Sequence, residues 1–400
     1  MLNRSTISIT FALVLVFSNS VLAAPKKTPT PDKFPPNPIE ITTPDPLLPG
    51  NRGKQPLTTQ ELRELETALD NLNQEANTLF QSGDKIGAFD TWNRELRLRR
   101  YLGNVSELQA LGRVGEIAWQ NNERLQVQYI TQRLQKIQKQ TVADTDLETL
   151  QSLAQGYQKV RSPKSAIEVY EQILGRVRQQ PGSMSEAEVL NAIANLHMSW
   201  FDYGKAATTY QQLLGIATAK GEGVNQVNYL KQLAYVYQQA RLPEESIKIQ
   251  NQLAGIYAQD NPILVPGIKI AIASDYELLV KSNPELLPEV FKNYQEAYQI
   301  AWAQQQYATA GEALQKLVAI YRSQGQIDAA LETSKILLET EEIAADFYGL
   351  MEAYKQMGEL YTDKQDTANA IASYQKGLEI AIQLNHQQDY FTQQIQKLSS

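Results

Sequence analysis

The chain has 400 residues, of which 42% are hydrophobic, a formal net charge of −7 at pH 7 and no cysteine. A chain of this length and apolar content can bury a large core, so its composition argues against global disorder. The acidic balance disfavours nucleic acid as the main partner, and the lack of cysteine excludes disulfides, thiolate metal sites and cysteine nucleophiles.

The N-terminal segment has the three parts of a secretory signal. Residues 1–4 are short and positively charged, Ile7 to Phe17 is mostly apolar, and Val21 to Ala24 resembles a small-residue cleavage site. We therefore predict a signal peptide over residues 1–24, with an uncleaved membrane anchor as the alternative. The mature protein is expected to be exported, to the periplasm or, in a cyanobacterium, to the thylakoid lumen.

Proline dominates the next segment, residues 25–57. Pro25 to Pro56 contains ten of the seventeen prolines of the chain and almost no apolar periodicity. Such a segment buries too little surface to offset its ordering entropy, so we predict a disordered, proline-rich linker that acts as a tether. The alternative is a ligand for an aromatic groove, since polyproline segments bind such grooves.

Helical signals begin at Thr58 and continue to the end, so a helical domain is predicted over residues 58–400. Thr58 and Glu61 have capping-box spacing, as do Thr145 with Glu148 and Ser185 with Glu188. The first helix carries leucines on one face at helical spacing: Leu62, Leu65, Leu69 and Leu72.

Small residues recur along this domain at a step of about forty. The first series is Ala76, Gly115, Ala154, Ala194, Ala234, Ala273 and, after one slip, Gly358, and a second follows twelve residues later as Ala88, Val127, Ala166, Ala206, Ser246, Ala330 and Ala370. Aromatic residues keep the same step, as Tyr157, Tyr237, Tyr276, Tyr321 and Tyr361, and as Trp92, Tyr170, Tyr210, Tyr294 and Tyr374. Self-similarity at this period predicts stacked helix pairs in which small residues allow close packing and aromatic residues fill the space between pairs.

This spacing resembles the tetratricopeptide repeat (TPR). The last unit carries the pattern most fully, in Tyr354, Met357, Gly358, Tyr361, Ala370 and Tyr374. The resemblance implies an all-α, right-handed solenoid of antiparallel helix pairs, with about eight units from Leu69 to Leu384 and a polar capping helix from about Asp389 to Lys397. Two features depart from the family: the step is nearer forty than thirty-four, and most closing prolines are missing. The second unit is degenerate, with Thr131 where an aromatic residue is expected.

The sequence offers little for catalysis or metal binding. His197 stands where other units have tyrosine and is expected to pack between helices, while His386 lies in a polar stretch and is expected to be solvated. Glu244-Glu245 and Glu341-Glu342 are interpreted as helix-end charges. We therefore predict no enzyme activity, no metal site and no cofactor. Trp119, Trp200 and Trp302 fall outside the repeat pattern, and exposed anchors and half-buried residues remain alternatives for them.

The resemblance also implies a peptide-binding face on the first helix of each unit. By that resemblance the lining comprises Asn73, Asn77, Gln151, Gln155, Asn191, Asn195, Lys231, Tyr235, Gln315 and Lys355. Amide side chains both donate and accept hydrogen bonds and so suit a peptide backbone. The alternative is that they are ordinary solvent-facing residues. Gly267 and Ala271 stand where a two-carboxylate clamp needs basic residues, so binding of acidic chaperone tails is not expected.

The resulting expectation is a protein–protein interaction scaffold that binds a peptide or protein segment and supports assembly or localisation of an envelope complex. The tether would hold it near a membrane. The alternatives are a self-associating structural protein, a homo-oligomer, and a helical glycan-binding protein or enzyme with acidic residues converging from several units.

Overall fold

The computed structural model describes residues 36–49, 56–141, 145–179 and 184–400, so the predicted signal peptide lies outside the described residues. Within these ranges the chain forms seventeen α-helices and no strand. They are α1 (Thr59–Gln81), α2 (Lys85–Arg99), α3 (Asn104–Gln120), α4 (Arg124–Gln140), α5 (Leu147–Lys159), α6 (Pro163–Gln179), α7 (Glu186–Ser199), α8 (Tyr203–Ala219), α9 (Gly223–Gln239), α10 (Pro243–Asp260), α11 (Val265–Val280), α12 (Leu287–Ala303), α13 (Tyr307–Ser323), α14 (Ile327–Ala344), α15 (Phe347–Asp363), α16 (Thr367–Leu384) and α17 (Gln388–Ser399). None of these helices combines the length and apolar character needed to cross a bilayer.

The first sixteen helices form eight pairs, which confirms the predicted all-α solenoid of helix pairs. The first helices of the pairs begin at residues 59, 104, 147, 186, 223, 265, 307 and 347, so the step varies between 37 and 45 residues. By its packing the chain divides into two compact units, Met1–Tyr101 and Leu102–Ser400. The first contains α1 and α2, and the second contains the other helices.

In the first unit, the described part of the predicted linker, residues 36–49, differs from an extended tether. A 3₁₀ turn at Pro38–Glu40 contacts α2 and buries Ile39 completely. Arg94 donates two hydrogen bonds of 2.8 Å to the carboxylate of Asp45, and this pairing lowers the Asp45 pKa. The buried isoleucine and the bidentate ion pair help to hold this part of the proline-rich segment against α2. The linker remains a prediction for the rest of residues 25–57.

In the second unit, the small and aromatic series form the core. Ala154, Ala166 and Ala206 are fully buried, and Tyr157 and Tyr170 fill the space beside them. Gly115 shows why small residues are required, since a Cβ there would lie 2.5 Å from Val160 Cγ1. The predicted packing role of the two series is therefore confirmed at these positions.

Helix termini follow local capping chemistry. The capping boxes at Thr58–Glu61 and Ser185–Glu188 are both formed, and hydrogen bonding at Ser185 lowers the Glu188 pKa. The third predicted box is wrong by one residue. Asp146 caps α5 instead of Thr145, because its carboxylate accepts the Thr149 amide at 2.8 Å.

The C-terminal helix α17 has the position and the packing of a cap. Phe391 is fully buried in a cluster with Tyr374 and Ala381, and a Cβ at Gly377 would collide with its ring. The outer residues of α17 are mostly polar and exposed. Phe391 is thus the one fully buried side chain by which this helix is attached.

Phe391→Ala is expected to detach α17. Truncating a buried phenylalanine costs about 3–5 kcal/mol, more than a twelve-residue polar helix recovers by itself. Hydrogen exchange of α17 amides should approach that of unstructured peptide, while exchange in α5 to α9 stays unchanged. The exposed neighbour Thr392→Ala is the control, and equal protection of α17 in both variants would contradict the cap.

Candidate functional site

Three successive first helices, α5, α7 and α9, present side chains at equivalent positions. Gln155, Asn195 and Tyr235 each lie one turn after another predicted site residue, and all three are exposed, Tyr235 by 48%. We call these three residues the polar strip. Asn191 Nδ2 on α7 donates to the Tyr229 hydroxyl on α9 at 3.0 Å, so α7 and α9 are joined beside the strip.

The residues one turn before the strip have structural contacts. Gln151 donates to the Met184 sulfur at 3.4 Å, and Asn191 also donates to the Ala187 carbonyl. The ammonium of Lys231 lies 5.7 Å from the centre of the Tyr257 ring. These contacts use part of the hydrogen-bonding capacity that the sequence assigned to a ligand.

The other predicted residues lie apart from the polar strip. In the first unit, Asn73 accepts from the Trp92 indole at 3.0 Å and from Asn77 at 3.2 Å. In the second unit, Gln315 donates to Glu341 at 3.3 Å, and Lys355 donates to Glu352 at 3.1 Å. All four site residues are half-buried. The bonds of Asn73 with Trp92 and of Gln315 with Glu341 join two helices, whereas the other two lie within one helix.

Two cavities open where the first helices end, and the smaller of them borders the strip. The larger, of about 520 Å³, is lined by Trp119, Gln120, Asn122, Arg124, Val127 and Arg161. The smaller, of about 120 Å³, is lined by Gln158, Arg161, Pro163, Asn195, Leu196, Ser199 and Trp200. Arg161 lines both cavities, and Asn195 connects the smaller one to the polar strip.

The sequence comparisons agree with this architecture. A family model described as a tetratricopeptide repeat matches residues 352–381, which lie in α15 and α16. The chain therefore contains a tetratricopeptide repeat in α15 and α16, as its sequence predicts. No curated protein matches its sequence.

Several solved structures resemble this chain at low identity. BtubC (BKLC) from P. vanneervenii is 18% identical with a TM-score of 0.40, the match covering 56% of this chain and 90% of that one. Aspartyl phosphate phosphatase F from Bacillus subtilis is 14% identical with a TM-score of 0.42, covering 74% and 79%. A tetratricopeptide repeat protein from Parabacteroides merdae is 12% identical with a TM-score of 0.30, covering 84% and 100%.

A third cavity, of about 450 Å³, lies between α13 and α15. Arg322 spans it and pairs with both Glu359 and Asp363, and the two carboxylates raise the Arg322 pKa. The charge of Arg322 is therefore balanced by carboxylates of the protein, whereas no carboxylate lines the cavity beside Trp119.

The titratable groups outside these cavities are explained by packing. His197 is buried as expected, and burial lowers its pKa despite Asp202, whose carboxylate lies 3.7 Å away. His386 is exposed, as expected, and its ring is tilted against that of Tyr348 with ring centres 5.7 Å apart. Within the described ranges, no group of three or more histidine, aspartate or glutamate side chains could hold a metal ion.

The interpretation of the adjacent glutamates is right for one pair and wrong for the other. Glu244 and Glu245 lie in the first turn of α10, as predicted. Glu341 is only 2% exposed, and burial raises its pKa to about 7. The spacing of residues along α14 does not predict the burial of Glu341. Its carboxyl group fits beside Gly311 of α13 and Gly349 of α15, which belong to other helices.

Proposed function

We propose that this protein is a non-enzymatic scaffold that binds an extended segment of a partner protein along α5, α7 and α9. The observation that carries the proposal is the polar strip, three exposed side chains at one equivalent position of successive helices. A preformed surface of this kind binds without a large ordering cost on the protein side.

The chemistry of the strip suits a peptide main chain. Gln155 and Asn195 offer amide donors and acceptors, and Tyr235 offers an exposed ring with a hydroxyl. Gln155 and Tyr235 form no side-chain hydrogen bond within the part of the chain that the structure describes. Their hydrogen-bonding groups are therefore available to a ligand, at about 1 kcal/mol of net gain for each bond formed.

We further propose that the protein is exported and that the proline-rich segment tethers the scaffold near the envelope. The N-terminal signal pattern supports export. Residues 36–49 contact α2, so the tether of this proposal is the part of the proline-rich segment that precedes residue 36. In this setting the scaffold would hold or localise an envelope complex.

Site-specific photo-cross-linking tests the scaffold proposal. A photoreactive residue replaces Gln155, Asn195 or Tyr235 in turn in the full chain, expressed in its own host. The three sites are expected to capture the same partner. The matched controls are Gln172 on α6 and Gln252 on α10, exposed glutamines on second helices, which should not capture it.

The captured partner then allows a quantitative test. Changing all three strip residues to alanine should weaken its binding about tenfold or more, since at least two hydrogen bonds and an aromatic contact are lost. Capture at the control sites alone would place the binding surface elsewhere. A cross-link to a second copy of the same chain, with a dimer in sedimentation, would replace the scaffold by a self-associating structural protein.

A further inference from the structure

The cavities beside Trp119 and Trp200 differ chemically from the rest of the molecule. Arg124 and Arg161 line the larger one together with Trp119, which is 46% exposed. Neither cavity is lined by a carboxylate. In a chain of net charge −7, two arginines facing a cavity without an acid are an unbalanced positive charge.

The two arginines are not used by the protein itself. Within the described ranges the guanidinium groups of Arg124 and Arg161 form no hydrogen bond or ion pair, and the same holds for Lys164 in the next turn of chain. The cavity between α13 and α15 provides the contrast, because there Arg322 has two carboxylates of its own. Of these two cavities, the one beside Trp119 is left to take its counter-charge from a ligand.

The backbone of these turns is costly to maintain. Where the first helix of a pair ends, one residue adopts a left-handed conformation, and other pairs use Gly83 or Gly325 there. The third, fourth and fifth pairs instead place Arg161, Phe201 and Arg241 in it, with φ of 56°, 59° and 56°. A bulky residue in this conformation is strained, and strain of this kind is commonly found where a side chain has a binding role.

We propose that these turns bind an acidic segment of the partner protein, with its carboxylates on Arg124 and Arg161 and an apolar side chain against Trp119 and Val127. The inference rests on the proposed function for the ligand being a protein segment. Through Asn195, which lines the smaller cavity, the acidic segment would continue directly onto the polar strip.

The dimensions favour a peptide. The larger cavity, about 520 Å³, falls within the range of about 300–1,000 Å³ typical of ligand pockets, so it accommodates a side chain with its neighbours. The smaller, about 120 Å³, has room for about four waters or one small polar group. Arginine forks bind carboxylates in bidentate geometry, which gives such a site specificity beyond charge.

Fluorescence anisotropy with labelled peptides tests the inference on the full mature chain. The probe is a ten-residue peptide with four glutamates around one phenylalanine, and the matched peptide has glutamine in place of every glutamate. We expect the acidic peptide to bind about tenfold more tightly at low salt and to lose this advantage as salt is added. Intrinsic fluorescence of Trp119 should change on binding, and Trp119→Phe should reduce that change.

The decisive variant is Arg124→Gln with Arg161→Gln. Glutamine already adopts the left-handed conformation at Gln305 and Gln365 of this chain, so the second change is tolerated. The double variant should weaken the acidic peptide about tenfold and leave the glutamine peptide unaffected. Lys248→Gln is the control, since it removes one exposed cation of α10 that lines neither cavity.

The outcomes separate this inference from the proposed function. Equal binding of the two peptides, or no effect of the double variant, would overturn the acidic-segment site even if the strip cross-links a partner. Binding of anionic vesicles by the wild type but not by the double variant, without peptide binding, would assign the turns to a membrane surface and also overturn it. Acidic peptide bound at the turns without any partner at the strip would refute the scaffold surface instead.

Discussion

The repeats around Glu341 are expected to lose about 3 kcal/mol of stability as the pH rises from about 4.5 to about 7. Burial and, to a smaller extent, the nearby carboxylate of Asp346 together raise the pKa of this carboxyl from 4.5 to about 7. A group that binds its proton more tightly in the folded state stabilises the fold at low pH. That stability is lost as the pH rises through the two pKa values, at about 1.4 kcal/mol for each unit of difference.

The geometry explains why Glu341 prefers to be protonated. Its carboxyl group fits between Gly311 of α13 and Gly349 of α15, and a Cβ at Gly349 would lie 2.6 Å from it. Gln315 donates to Oε1 at 3.3 Å, while Oε2 has no hydrogen-bond partner within the described residues. A carboxylate between these two glycines has lost its hydration, and the single hydrogen bond from Gln315 compensates for little of that loss.

Glu341→Gln measures the effect, with Glu342→Gln as the matched control on the exposed side of the same helix. Urea unfolding at pH 5, 6, 7 and 8 gives the difference in stability between each variant and the wild type. The difference for Glu341→Gln should favour the variant increasingly up to pH 7 and then level off. The difference for Glu342→Gln should stay within about 0.5 kcal/mol. Parallel curves for both variants would show that Glu341 titrates normally.

A related change tests the glycine slot itself. Gly311→Ala is expected to destabilise the wild type, because the added methyl competes with the carboxyl group for one space. In a Glu341→Ala background the same methyl would fill the cavity that is left, so its cost should fall or reverse. Additive effects of the two changes would contradict the contact.

The fold was predictable because its main determinants are local and periodic. Ala154, Ala166 and Tyr157 lie at helical spacing on faces that meet within one pair, and each was identified from the sequence and is buried. The helix that begins at Thr59 was likewise predicted from Thr58 and Glu61, four residues in one turn. Such signals do not depend on distant parts of the chain.

The candidate site was predictable only in part. The positions of the polar strip follow from the repeat, but the contact between Asn191 and Tyr229 joins residues 38 apart, so the sequence did not show it. The cavity arginines, Arg124 and Arg161, come from separate turns. One signal was available: Arg161 and Phe201 stand where other pairs have glycine, and a bulky residue at a glycine position merits attention.

The second helix pair, α3 and α4, has a degenerate repeat pattern and was the part of the fold that was hardest to predict from the sequence. Nothing in the sequence pattern singled out Glu107 or Arg133, since charged residues on helices are usually solvated. Both are buried: Arg133 Nε donates to Glu107 Oε1 at 2.6 Å, and Arg133 Nη2 donates to Oε2 at 2.9 Å. Their spacing from Leu111 and Ile137, four residues in each case, places them on core faces and could have revealed them.

Removing one member of this ion pair is expected to have the largest effect of any single charge in the second unit. Glu107→Ala should cost about 3–5 kcal/mol, because a buried guanidinium loses its bidentate carboxylate. Replacing both residues by apolar side chains of similar size, Glu107→Leu with Arg133→Met, should restore much of that loss, since neither charge then has to be desolvated. Urea unfolding followed by circular dichroism gives both numbers.

The exposed pair of Lys376 and Glu379 supplies the comparison. Its charged atoms lie 3.5 Å apart, but both side chains are more than half exposed, so Glu379→Ala should cost at most about 0.5 kcal/mol. A Glu107→Ala variant as stable as Glu379→Ala would mean that water reaches Arg133. A double variant no more stable than Glu107→Ala would mean that the pair fixes the packing of α3 on α4 as well as balancing charge. If water reaches Arg133, the helix pair of α3 and α4 is loosely packed. If the ion pair fixes the packing, it takes the place of the aromatic residue that this helix pair lacks.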